Sequence, residues 1–569
     1  MKTPQKICEM EREETEFRKL SEKEIALLEK NGNRAVNWAD ILIEPDLDLT
    51  NIVNVRFKGA VAICSGVVLR DIPGGLGGLT IRRGSRIENV ASVEFEPESM
   101  HGVGVMVAVL DETGSRNVPI YPGLSSQMAT LMARDPKWLE CRLNPTIRDF
   151  IDSRATPAEI GEGAVIINSG PLKNVSVGRE VVIDGAARLT NGSVINNASP
   201  GKCFTRIGSG VEAADFILED ARLESKAAIF KCYVGQGVEI SHGFSAQESL
   251  FFANSTMENG ESHALLAGPY TVSMHKGTLL IGCQTSFMNA GSTTNQSNHM
   301  YKLGPVHWGL LERGVKTASG SYLMLGAKIG AFSLLMGSHK THPDSSEFPF
   351  SYLFGDERGA TVVVPAVMLR SCGLLRDEMK WPNRDRRLKR KLPLYDKITF
   401  DVLNPFTVDT MLKAIHTIED LLTRPADDDL FMRYKGMKFT RAALERAKNL
   451  YNLAIFKYMS VVLEDENIPE GDGENPDEWL DLGGLIMPRR YLDRIREAEG
   501  IAEAEEICAE AYARYDELQK EWVARRFDEW WRQHETHIKV NAEKFDEMVE
   551  EDRHQYLQML ARETEMLAL

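Results

Sequence analysis

Seven of the twelve histidines lie between positions 242 and 342: His242, His263, His275, His299, His307, His339 and His342. Imidazole is the side chain best matched to proton transfer near neutral pH, since its ordinary pKa lies close by. Two stretches present four of these residues. "NAGSTTNQSNHM", Asn289 to Met300, displays hydroxyls and amides with His299, and His307 follows shortly after. "LLMGSHKTHPD" sets His339, Lys340 and His342 between a glycine and a proline. His299, His307, His339 and His342 are therefore the candidate general bases. His339 and His342, three apart, suit a base with an orienting partner. They equally suit two ligands of a zinc ion completed by His299 or His307, an alternative that gives the metal set His299, His339 and His342.

Two further groups suit binding. The amides of Asn289, Asn295 and Asn298 each carry donors and an acceptor for sugar hydroxyls, although a polar loop at a solvated corner has the same composition. "KWPNRDRRLKRK" packs Arg384, Arg386, Arg387, Lys389, Arg390 and Lys391 beside Trp381. Bidentate arginines recognise phosphate or pyrophosphate, and Trp381 offers a stacking face. Trp381, Arg384 and Arg386 are the candidates there. The plain alternative is a turn that pairs with acidic helices. "GGLGG" after Ile72 lacks the Lys-Ser/Thr of a phosphate loop and reads as a turn.

The elements that must position these residues show in a period of six. Ile160, Ile166, Leu172, Val177, Ile183, Leu189 and Ile195 lead successive blocks, with a single step of five. The pattern returns at Ile217, Leu223, Ile229, Val234 and Ile240. Weaker copies lie at Val55, Val61, Val67, at Ile81, Ile87, Val93, and at Leu323, Ile329, Leu335. Six is the period of neither a helix nor a strand. Each block reads as a very short strand plus a turn, with every sixth side chain inward and small residues or asparagine at the turns. Three blocks close a triangular coil of about eighteen residues, and coils stack to bury one another's apolar faces.

These blocks, with Ile160-Gly161, Val177-Gly178, Ile207-Gly208, Val234-Gly235, Ile281-Gly282 and Ile329-Gly330, resemble the hexapeptide-repeat, left-handed parallel β-helix superfamily over about residues 55–367. The left hand comes from that resemblance. "FRKLSEKEIALLEKNG" before the repeats and "EFPFSYLFGDERG" after them resemble a bacterial family of large hexapeptide-repeat proteins with no known activity. Many superfamily members are trimeric acyltransferases that use acyl-CoA or acyl-carrier protein. In them a histidine at a groove between subunits takes the proton from an acceptor hydroxyl or amine. The resemblance thus implies a homotrimer that moves an acyl group, acetyl from acyl-CoA, onto a sugar phosphate or nucleotide sugar, with acyl-CoA as co-substrate and no bound cofactor. "FMNAGSTTNQSNHMYKLGP" is similar to a segment in the acetyltransferase half of N-acetylglucosamine-1-phosphate uridyltransferase. By that likeness Thr294, Asn295 and Lys302 would face the sugar phosphate or acyl donor. The family's asparagine-tyrosine-aspartate run is absent, and the spacing to Lys302 differs. The zinc alternative resembles the γ-class carbonic anhydrases, whose ligand spacing is not matched here. A third reading is a non-enzymatic scaffold or sugar-nucleotide-binding protein.

The expected organisation is a β-solenoid with a short N-terminal helical element and a C-terminal all-α domain. The N-terminal cap spans 1–50, with a capping box at Ser21 and Glu24 and a stop at Gly32. The hexapeptide-repeat domain spans 51–375, with an excursion at about 100–155 and loops at about 289–322. Within the excursion "GVGVMVAVLDETGSRNVPIYP" alternates and turns like a β-hairpin. A basic connector covers 376–405. A helical domain covers 406–569, where Val408, Met411, Leu412, Ile415, Ile418 and Leu422 form one stripe capped by Thr407. Leu444, Ala447, Leu450, Tyr451, Ala454 and Tyr458 form another, and "EDENIPEGDGENPDE" reads as a loop.

Composition sets outer bounds. A formal net charge of −16 argues against a general nucleic-acid or anionic-membrane surface. The N-terminus is charged without an apolar core, and no run reaches the length of a membrane span. The eight cysteines are scattered, without zinc or disulfide spacing. A cytoplasmic protein acting on a small molecule is the expectation.

Overall fold

The computed structural model describes residues 16–526, except 112, 143–144, 298–307, 371, 427–429 and 464–476, together with His554 and Gln558. Its centre is a parallel β-solenoid of about 17 turns over residues 34–354. The coil length shows in the register. Ile160 pairs with Val177, Ile166 with Ile183 and Leu172 with Leu189, each seventeen residues on. Two blocks of six and one of five make that coil, so the five-residue slip in the sequence recurs once per turn. Where the chain inserts a loop before Arg206, the step widens and Ile183 pairs with Ile207.

Three columns of inward side chains fill the solenoid. One runs Ile63, Ile81, Ile160, Val177, Val194, Leu218 and Val234, every member buried. Such columns are apolar because each residue is covered by the coil above and the coil below. In later turns polar residues enter the columns. The third column reads Ala246, Ser262, Leu280, Gln296, Leu323 and His339. Its amide is satisfied in part, since Gln296 Oε1 accepts from the Ile281 N–H at 3.1 Å.

The corners need left-handed backbone. Asn174, Asn191, Asp215, Lys231 and Glu248 stack at one corner with φ between 47° and 56°. Asn and Asp tolerate this conformation better than most residues, which accounts for part of the polar composition. The segment from Glu96 to Arg154 leaves the solenoid at this corner and runs along it as a strap. The Glu96 N–H donates to Asn174 Oδ1, Gly102 N–H to Asn191 Oδ1, Ala108 N–H to Glu248 Oε2 and Leu110 N–H to the Ala264 carbonyl. Met106–Ala108 and Asn117–Pro119 form the expected antiparallel hairpin. Three helices follow that the sequence reading did not separate: α2 (Ser126–Arg134), α3 (Pro136–Arg142) and α4 (Pro145–Asp152), while α1 (Glu22–Lys30) lies ahead of the coils. Ser125 caps α2, accepting from the Met128 N–H.

A second corner, through Asp220, Gly237, Asn254, Tyr270 and Phe287, is also left-handed, with φ of 48–72°. It is covered by α5 (Cys372–Asn383), the chain after it, and a hairpin of Trp479–Leu482 with Leu485–Pro488. Helices α6 (Pro405–Thr423) and α7 (Arg441–Leu463) pack together beyond the coils, followed by α8 (Arg489–Glu497) and α9 (Ile501–Ala513). The cap of α6 is Asn404, which accepts from the Thr407 N–H. Thr407 closes the box from the third helical position rather than capping the helix itself, because Pro405 occupies the first. The buried stripes on α6 and α7 are largely those read from the sequence. Most of the acidic loop lies outside the described residues.

Both ends of the stack are covered. Arg18–Lys19 pairs antiparallel with Ile41–Ile43 at one end. At the other, Tyr352–Gly355 pairs antiparallel with Thr361–Val364, which passes the sheet on to Met437–Thr440. Covered edges remove the free strand that invites aggregation.

Candidate functional site

The amide-rich stretch is solenoid wall over the residues described. Asn289–Ala290 and Asn295–Ser297 are strands, and Ala290 and Gln296 point inward. Thr294 is buried, its hydroxyl donating to the Gly291 carbonyl at 2.7 Å and sharing a hydrogen bond with Thr317 at 2.6 Å. Asn289 is exposed and Asn295 half-buried on the outer face. Asn298, His299, Lys302 and His307 lie outside the described residues.

His339 and His342 face different environments. His339 ends the third inward column, stacked on Leu323 and fully buried. Its Nδ1 lies 2.9 Å from Thr361 Oγ1, and its Nε2 has no hydrogen-bond partner. Burial pushes its pKa down to about 4, so the ring is neutral. His342 sits at an outer corner, with Nδ1 2.7 Å from the Leu325 carbonyl. A carbonyl only accepts, so Nδ1 carries a proton and donates to it. Among the described residues no group of three or more His, Cys, Asp or Glu is placed to hold a metal ion.

The basic stretch clasps the solenoid. Trp381 is buried, 4.6 Å from the Phe287 ring centre. Arg386 donates to the Gly237 carbonyl at 2.6 Å and pairs with Glu239 at 3.2 Å. Arg387, which is almost fully buried, is held by Asp385 at 2.8 Å and donates to the Asp396 carbonyl. Arg384 is exposed. Much of the charge in this run is therefore spent on the second corner.

A different group of residues forms a recess outside the coil wall, near the C-terminal end of α2. Its floor comes from two neighbouring coils, because Gln284 pairs with Leu310 and Thr285 with Leu311. Since Leu311 points inward, Gln284 and Glu312 face out. Its roof comes from Arg134 at the end of α2, Phe406 at the start of α6, and Asp481 and Gly483 of the hairpin. Gly483 permits the close approach: its φ is +58°, and a Cβ there would lie 2.5 Å from the Ser126 carbonyl oxygen. The Ser126 hydroxyl donates to the Gly483 carbonyl at 2.7 Å, and Gln127 reaches the same carbonyl.

The charges in this recess are uneven. Arg313, 1% exposed, pairs with Asp481 at 3.0 Å and donates to the Thr399 and Gly484 carbonyls at 2.9 Å. That pair is neutral as a unit. Arg134 makes no side-chain hydrogen bond or ion pair with another described residue, but it sits within the fields of Glu312 and Asp481, which act against the burial that lowers its pKa. Burial raises the Glu312 carboxyl to about 8, against the Ala331 N–H and Arg134, which favour the anion. Near neutral pH Glu312 therefore holds its proton. Gln284 is buried, and its Oε1 has no partner. The cavity volume is about 130 Å³.

A family model described as "Domain of unknown function (DUF4954)" matches residues 60–422. The chain belongs to this family. A second model, "Domain of unknown function (DUF6819)", matches residues 466–562. No curated protein matches the chain. The DUF4954 match contains Arg134, Gln284, Glu312 and Arg313, and the DUF6819 match contains Asp481 and Gly483. The recess thus lies where the two matched segments meet. Sequence reasoning passed over its residues because they carry no motif. The one signal was Glu312-Arg313, an adjacent charge pair straight after an inward leucine and ahead of a corner glycine.

Proposed function

We propose that the recess under α2 binds a small organic anion, with Arg134 as the anion contact and Glu312 as the group that exchanges a proton. The observation that carries this reading is a recess that Arg134 lines without an ion pair, beside the buried Gln284 amide whose Oε1 has no partner. A cavity of about 150 Å³ takes a benzene molecule, so a recess of this size suits a ligand of about six non-hydrogen atoms. A nucleotide sugar or a coenzyme A thioester is far larger. The test is calorimetric titration of the full chain with small carboxylates. Binding by the parent protein that is lost in Arg134→Met supports the reading. Absence of binding across acetate, propionate, glycolate and lactate overturns it.

A second reading, acyl transfer to a small hydroxyl acceptor, is favoured by His342. Its Nδ1 is fixed as a donor to the Leu325 carbonyl, which leaves Nε2 as the ring nitrogen that an acceptor hydroxyl would meet. His342→Gln would then abolish transfer from an acyl-CoA to a sugar-phosphate acceptor while leaving thermal unfolding unchanged. Transfer that survives the substitution removes His342 from that role.

A further inference from the structure

We infer that the molecule held in this recess is a small hydroxy-carboxylate carrying a single negative charge, its hydroxyl bonded to the side-chain amide of Gln284. This rests on the anion reading above and adds the ligand's chemical class.

The charge count comes first. Arg313 and Asp481 cancel each other at 3.0 Å, and Arg313 uses its remaining donors on backbone carbonyls. Glu312 also accepts from the Ala331 N–H at 3.1 Å, which fixes its carboxyl in the wall. One positive charge, Arg134, makes no ion pair with another described residue, although Glu312 and Asp481 act on it from nearby. A monoanion neutralises it. A second carboxylate would meet Asp481, and an ammonium group would meet Arg134, so dianions and amino acids are selected against.

The hydroxyl follows from Gln284. This side chain is 5% exposed, and its Oε1 is unpartnered. Its Nε2 makes only a long contact of 3.5 Å with the Thr130 hydroxyl. A buried amide oxygen without a donor is costly, and a ligand that supplies one recovers the loss. A ligand hydroxyl serves whichever way the amide is turned, because it both donates and accepts. An acid of the same skeleton without the hydroxyl leaves Gln284 as it is, and a site built around a hydrogen bond discriminates strongly against such an analogue.

The experiment is titration of the full chain at pH 7 with lactate, propionate and alanine, in the parent and in Gln284→Leu and Arg134→Met. Lactate is expected to bind at least about tenfold more tightly than propionate or alanine. Gln284→Leu should remove the preference over propionate. Arg134→Met should weaken both acids. Equal binding of lactate and propionate by the parent overturns the hydroxy-acid assignment and leaves the anion site standing. Binding of neither acid overturns both. A lactate preference that persists in Gln284→Leu overturns the role given to Gln284. Thermal unfolding of each variant separates lost binding from lost structure.

Discussion

The guanidinium carbon of Arg313 lies 4.6 Å from the centre of the Phe287 ring. Phe287 itself stacks on Tyr270 at 5.4 Å, so the cation caps a short aromatic column on the second corner. Its charge is matched by Asp481 of the hairpin, which ties the C-terminal segment to the solenoid. Removing one member of a buried pair leaves the other uncompensated. Arg313→Met should therefore destabilise the chain by about 3 kcal/mol or more in urea unfolding. Arg313→Lys should recover only part of this, since an ammonium cannot reach Asp481 and two carbonyls as a planar fork does.

His339 should make the fold acid-sensitive. Its pKa is about 4 in the folded chain, against an ordinary 6.5. Between these values the unfolded chain takes up a proton that the folded chain refuses. Stability is full above about 6.5 and falls as pH drops towards 4. His339→Leu, which puts an aliphatic side chain on top of Leu323, should flatten that fall. The check is urea midpoints at pH 7 and 4.5: the variant should gain on the parent at the lower pH.

Glu312 works in the opposite direction. Its folded pKa of about 8 lies above the ordinary 4.5, so the folded chain keeps a proton that the unfolded chain has released. Stability from the neutral form is complete below the ordinary value and is lost as pH rises to 8. Glu219 and Glu505, each raised by burial to about 7, act with the same sign. The melting temperature should fall between pH 6.5 and 8, above the window in which His339 titrates, and Glu312→Gln should shrink the fall. A variant with the parent's slope would show that Glu312 is ionised in the folded chain.

Gly483 sets the roof of the recess. Alanine there would place its Cβ 2.5 Å from the Ser126 carbonyl oxygen, at a backbone angle that L-residues seldom adopt. Gly483→Ala should push the hairpin away from α2, break the Ser126 and Gln127 contacts, and weaken small-carboxylate binding at least about tenfold. Hydrogen exchange at Gly484 and Ile486 should rise before global unfolding does.

The solenoid was legible because its constraint is local and repeated. Every sixth residue faces the same interior, so Ile160, Ile166 and Leu172 declare the coil before any long-range contact is known. The strap's hairpin and the stripes of α6 and α7 were legible for the same reason, each being a regular alternation or a helical period. The recess was not. Arg134, Gln284, Glu312 and Asp481 come from four separate segments, and nothing in the spacing of 134, 284, 312 and 481 announces that they meet. Composition was also ambiguous inside the coils. Thr294 and Gln296 read as surface residues, yet both are buried, with Thr294 in a 2.6 Å contact with Thr317 and Gln296 bonded through its Oε1 alone. The basic stretch shows the converse, where Arg387 reads as solvated and is buried against Asp385.

The strap gives the solenoid a length it cannot change. Repeat proteins of this kind ordinarily drift by gain or loss of whole units, because each unit contacts only its neighbours. Here one segment is pinned to Asn174, Asn191, Glu248 and Ala264, so it measures the distance along the stack between them. Excising a single coil between Asn191 and Glu248 would shorten the rod by about 4.8 Å and leave the strap out of step with its anchors. The number of turns in this stretch is therefore gauged by the chain itself, and evolution can edit it only by recutting the strap at the same time.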